Sequence, residues 1–110
     1  MLLGKLATPA MKVVQNGVFD ATSIYAEYMV VSARKFVIGA KNVSFEIRFG
    51  NVLLENEQER FDIVLREYIT ILSEDLVTWG IDDSILLDII AAKLGTTLIE
   101  KMVKDLHYTY

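Results

Sequence analysis

The chain has no cysteine, a single proline and a single histidine. No apolar run approaches the ~18 residues of a membrane helix. Without cysteine there is no disulfide and no thiolate chemistry. The lone histidine, His107, stands in a C-terminal stretch expected to fray. No Ser-His-Asp arrangement can be built on it. The glycines are scattered and show no phosphate-cradling pattern. Met1 to Pro9 lacks the apolar core of a signal peptide. These absences point to a soluble, cytoplasmic, non-enzymatic chain. They predict no catalytic residue, no metal, no cofactor, no small-molecule substrate and no membrane partner.

What the chain does have is apolar residues, at 53% of its 110 positions. Average soluble proteins carry roughly 45–50% on a count that also includes glycine. A chain of this length fits one domain, and a domain this small leaves much of its surface exposed. The surplus therefore needs a second place to be buried, and a subunit interface is the plainest one. The net charge of −4 opposes a whole-surface affinity for nucleic acid. Charge is uneven, however. Arg34, Lys35, Lys41 and Arg48 face only Glu46 between Val30 and Gly50, whereas the acids gather from Glu55 to Asp83. A basic patch on an acidic body is one reading of this, and a set of solvated strand faces is the other.

The clearest element runs from Val43 to Leu54. Val43, Phe45, Ile47 and Phe49 alternate with Ser44, Glu46, Arg48 and Gly50. That is the period of a half-buried strand, with one apolar and one polar face. Gly50-Asn51 then offers a bulge or a turn. Upstream, Pro9 is expected to end a short arm. Met11 to Gln15 reads as a strand, Asn16-Gly17 as a hairpin turn and Val18-Phe19 as the start of the return strand. Residues 23–33 fit a strand or one face of a helix, and their β-branched and aromatic content favours strand. Lys35 to Gly39 reads as a further strand, with a turn through Asn42. Glu55 to Glu59 is a polar loop. Residues 61–72 are again two-valued, and Ile69-Thr70-Ile71 favours strand.

The character changes after Ser73. Ser73 with Glu74 and Asp75 looks like a helix start, and Gly80 like its end. Asp82 caps a longer helix, with Ile81 and Leu86 spaced as a hydrophobic staple. From Ile85 to Leu94 this helix is apolar nearly all round, which predicts burial on more than one side. Gly95 suits its C-terminal cap. Thr97 and Glu100 match a capping box, predicting a last helix from Leu98 to about Leu106. The acids Glu74, Asp75, Asp82 and Asp83 match no metal-binding loop, and helix capping accounts for them. Trp79 reads as core, and Tyr25 and Tyr28 as half-buried sheet residues rather than stacking platforms.

Ile47-Arg48-Phe49-Gly50-Asn51-Val52 resembles the second motif of the Sm and Sm-like proteins. Phe49 stands between the arginine and the glycine of that motif, and its upstream Asp-x-x-x-Asn partner has no counterpart. Trp79 to Asp83 and Ala91 to Gly95 resemble runs in small Sm-like proteins of marine cyanophages. The resemblance implies a strongly bent, five-stranded Sm-like or SH3-like barrel that assembles into homo-oligomeric rings by edge-strand pairing. With the strand reading it gives a mainly β fold with a C-terminal helix. The single domain, residues 1–110, divides into a barrel over about 10–72 and a helical element over about 73–106. It also implies a nucleic-acid site for single-stranded RNA or DNA, for which Lys35, Lys41, Arg48, Gly50 and Asn51 are the candidates. The alternative is a phage structural or adaptor ring that binds other virion proteins and no nucleic acid, in the cytoplasm of a bacterial host.

Overall fold

The computed structural model describes residues 2–15, 17–18, 21–36, 42–72, 74, 83–104 and 106–109, with backbone alone for 32–36, 83 and 107–109. Its strands are β1 (Leu2–Gln15), β2 (Ala21–Phe36), β3 (Asn42–Glu55), β4 (Gln58–Leu72), β5 (Leu98–Val103) and β6 (His107–Thr109). The helix α1 (Asp83–Leu94) lies between β4 and β5 in the chain. All the strands belong to one sheet, in the spatial order β5-β1-β2-β3-β4-β6. Neighbours are antiparallel except β4 and β6, which run parallel. The class is mainly β with one helix among the described residues.

β3 is the centre of the sheet, and its period decides the packing. Val43, Phe45, Ile47 and Phe49 are buried, Ser44 is exposed, and Glu46 and Arg48 are half-buried. The apolar face meets α1 through Leu86, Leu87, Ile90 and Ala91. Ile85, Asp88, Ala92 and Lys93 remain exposed, so α1 is buried on one side only, against expectation. One side suffices because the helix covers a single sheet face, with no second layer beyond it among the described residues. Gly95 takes φ +74, and the Gly95 and Thr96 N–H groups bond the Ala92 and Ala91 carbonyls at 3.2 and 2.9 Å. This is a Schellman cap, and it ends the helix where the sequence places the end. Lys101 of β5 holds α1 down through Asp88 Oδ2, at 2.6 Å.

A second, smaller core lies on the other face. Leu3, Val30, Phe61 and Leu106 form it, with Tyr28, Val52, Ile63 and Met102 at its margin. Its existence constrains the shape of the sheet. β5 and β6 stand at opposite ends of the strand order, roughly 24 Å apart were the sheet flat. The chain between Val103 and His107 can span only about 14 Å. The sheet must therefore curl. Register shifts occur in every antiparallel ladder, and such bulges bend strands.

The curl stops short of closure, which corrects the expected barrel. β5 and β6 do not pair with one another, and β6 covers only Arg60, Phe61 and Asp62 on the outer edge of β4. Leu98–Val103, expected as helix, is strand. The Leu2–Leu6 edge of β1 offers unpaired backbone, and Ala7 N–H bonds the Thr97 carbonyl at 2.8 Å to set the register. An isolated short helix has no such partner and is marginal in water. Pro9 does not end an arm but lies inside β1, at the register shift between Lys5 and Ala10, where a residue without N–H costs no ladder bond.

Gln15 pairs with Ala21, where β2 starts, beyond Val18; Asn16 of the expected turn and Phe19 of the expected return strand lie outside the described residues. β2 is continuous through Lys35 to Phe36, so no separate strand begins there. The polar loop shrinks to Asn56-Glu57, both at positive φ, between paired Glu55 and Gln58. The turn at 39–41, the short helix expected from Ser73 to Gly80 and the Asp82 cap lie outside the described residues, apart from Glu74.

Phe45 is among the largest fully buried side chains. Phe45→Ala is expected to destabilise the fold by ~3–5 kcal/mol in denaturant melts. A loss below about one kcal/mol would contradict its place in the main core.

Candidate functional surface

The five residues singled out from the sequence divide into three groups. Arg48 and Lys35 lie on the polar face of the central strands. Arg48 is opposite Arg66, Glu46 is opposite Tyr68, and Lys35 is opposite Ser44. Arg48 Nε donates to Glu46 Oε1 at 3.1 Å, and Arg66 Nε lies 3.5 Å from the same oxygen. Two arginines directly across a ladder repel, and the shared glutamate offsets that repulsion. Ser44 and Thr70 share a hydroxyl hydrogen bond of 3.1 Å further along. Lys35 is described by its backbone alone, and Lys41 lies outside the described residues.

Gly50 and Asn51 have structural roles. A Cβ on Gly50 would run into the Asp62 carbonyl oxygen and lie 2.9 Å from the Phe61 ring. Close approach, not unusual φ, requires glycine here. Asn51 sits where β2 and β3 part, because their ladder ends at Tyr28 opposite Gly50. Its Oδ1 accepts the Glu27 N–H at 3.0 Å, and its Nδ2 donates to the Tyr25 carbonyl at 2.8 Å. The side-chain amide thus replaces the next backbone pair of the ladder.

Sequence reasoning missed Arg66 and the exposed Tyr68, which share the polar face with Arg48. Continuing the period-two pattern of residues 61–72 in register with β3 would have placed them there.

The other prominent feature is open edge. β4 has no outer partner from Ile63 to Leu72 among the described residues, and β5 has none on its outer side. Exposed apolar side chains flank both edges: Tyr68 and Leu72 on β4, and Ile99 at 61% and Val103 at 78% on β5. β1 loses its β5 partner after Leu6. Two shallow clefts mark places where the curled sheet stays unsealed. One, of about 380 Å³, lies between Lys12 and Ile63 to Arg66. The other, of about 310 Å³, lies beside Pro9, Met11, Leu65 and Leu94.

Among the described residues no group of three or more His, Asp or Glu is placed to hold a metal ion, and no helix is long and apolar enough to cross a membrane. No family model, curated protein or solved structure matches the chain.

Replacing Asn51 by Ala removes both bridging hydrogen bonds. The expected cost is about 1–3 kcal/mol, read from denaturant melts, together with faster amide exchange at Glu27. Asn51→Asp keeps the acceptor for that amide and should retain its protection. Unchanged stability and exchange in Asn51→Ala would show that the fork does not depend on this side chain.

Proposed function

We propose that this chain is a non-enzymatic assembly module whose copies join head to tail, β4 edge to β5 edge, into a closed ring that serves other proteins as a structural adaptor. One observation carries the reading: among the described residues a single sheet presents two open edges, at different strands, each flanked by exposed apolar residues. Unpaired edge backbone is a template for another strand. Two different edges meeting give a heterologous contact, the kind that closes rings. The faces are compatible. Leu65 and Ile69 pack at the margin of the helix-side core. Val103 pairs with Leu2 of that same margin, so Leu65, Ile69 and Val103 would continue the helix-side face, while Tyr68 and Leu72 lie on the other. The Sm-like resemblance at Ile47 to Val52 agrees with this mode of assembly.

A second reading, binding of single-stranded RNA or DNA, draws on the polar face. Arg48, Arg66 and the backbone position of Lys35 share it with exposed Tyr68. Cations beside a stacking aromatic suit a single strand, and a ring would repeat the patch into a multivalent surface.

Light scattering is expected to return a wild-type mass several times the 12.4 kDa of one chain. The double variant Ile99→Lys, Val103→Lys should lose the ring while keeping its thermal unfolding, because both side chains are exposed and lysine guards an edge. A monomeric or dimeric wild type would overturn the ring.

Gel shifts at two salt concentrations decide the second reading. Binding that weakens with salt and is lost in Arg66→Glu at unchanged oligomeric mass is its expected signature. No shift with RNA or DNA at low salt would leave the adaptor reading alone.

A further inference from the structure

The half of β1 beyond Pro9 is set apart from the rest of the sheet. Ala10 to Gln15 pairs with Ala21 to Ala26, and neither segment has another sheet partner among the described residues. The result is a two-stranded ribbon. The pairing assigns its residues to faces. Ala10 with Ala26, Lys12 with Ile24 and Val14 with Thr22 share one face, which begins in the main core at buried Ala26. Met11 with Tyr25, Val13 with Ser23 and Gln15 with Ala21 share the other.

That second face is unusual in two ways. All six of its residues are exposed, Met11 at 53%, Val13 at 55% and Tyr25 at 55%. None of the six carries a charge, in a chain of which 24% is charged. Depletion of charge together with Tyr and Met is the composition of an interface core rather than of a solvated surface. A two-stranded ribbon also gains stability when a further layer packs on it.

We propose that this face packs against the same face of a second copy of the chain, across a two-fold axis near Val13 and Ser23. The area favours a second copy. The face exposes on the order of 500 Å² a side, within the range of the largest apolar patch on a typical monomer. Two such faces, fully covered, bury at most on the order of 1,000 Å² in total, the lower bound for a specific interface. These six residues carry no charge, with exposed Glu27 next along β2 at their margin, and an isologous contact requires only that the face complement itself. Tyr25 of each copy would supply the broad anchor, with Ser23 and Gln15 at the rim.

This contact is independent of the β4–β5 edge contact, so the two combine. A head-to-tail ring with an added two-fold face gives two rings back to back, whereas the face alone gives a dimer.

The experiment follows the mass by light scattering in four proteins. If both contacts exist, Val13→Lys with Tyr25→Lys should halve the wild-type mass. Ile99→Lys with Val103→Lys should leave a dimer, and the fourfold variant a monomer. If the ring reading fails, the wild type is itself a dimer, the β5 variant is unchanged, and the ribbon variant is a monomer. A ribbon variant with the full wild-type mass overturns the proposal. The absence of cysteine supplies a second test that tolerates a variant with poor folding. Ser23→Cys should form a disulfide-linked dimer under mild oxidation, while Leu54→Cys, exposed on the other hairpin, should not. Equal cross-linking at the two positions overturns the two-fold contact.

Discussion

The Asp62 carbonyl oxygen and, behind it, the Phe61 ring occupy the space into which a side chain at Gly50 would project, and much of the sheet's shape follows from that close approach. With no Cβ in the way, β3 and β4 approach closely just where their register shifts, Phe49 facing Leu65 and Gly50 facing Ile63. Phe61 is then fully buried on the face opposite α1. There it makes a core with Leu3, Val30 and Leu106. Leu106 reaches that core only if the chain crosses from β5 toward β6 within a few residues. The crossing draws the two sides of the sheet together, and Lys104 fastens it to the β3–β4 hairpin through Glu59 at 2.9 Å. The curl is thus held by packing on one face, while α1 fills the other.

The same contact explains why the sheet divides. Beyond Gly50 the β2–β3 ladder stops, and Asn51 closes it with a side-chain amide instead of a backbone pair. From that point the β1–β2 ribbon and the β3–β4 hairpin go separate ways. The residues that most resemble a binding motif, Gly50 and Asn51, stand at this fork, Gly50 at the close approach and Asn51 bridging the two strands. Arg48 contributes to the same frame, sharing Glu46 with Arg66 on the face away from α1.

β3 was legible because its neighbours lie on both sides and its two faces differ in kind, so the period-two pattern of Val43 to Phe49 had one interpretation. The C-cap at Gly95 was legible because a Schellman turn is local chemistry. β5 was not. Leu98 to Val103 carries a helix-start signal at Thr97 and Glu100, and what overrides it is the open edge of β1, nearly the whole chain length away in sequence. Barrel closure was illegible for a similar reason, since it depends on whether two distant edges come within hydrogen-bonding reach and not on any residue's preference. The role of Asn51 depends on where β2 stops, which Asn51 itself does not encode. Arg66 and Tyr68 were within reach, but only through the register of β4 on β3.

The apolar surplus of the sequence now has a location. α1, expected to be buried on more than one side, is buried on one. The excess is found instead where ladders end: Met11, Val13 and Tyr25 on the self-paired ribbon, Tyr68 and Leu72 along β4, Ile99 and Val103 along β5. These are also the places where backbone groups or a sheet face lack a sheet partner among the described residues. A sheet that had closed would have paired its edges and turned such residues inward. One that stops short leaves unpaired backbone and uncovered apolar side chains together, and a neighbouring molecule can satisfy both at once. Incomplete closure and apolar composition are, on this view, two expressions of one property, a sheet whose boundaries stay open among the described residues.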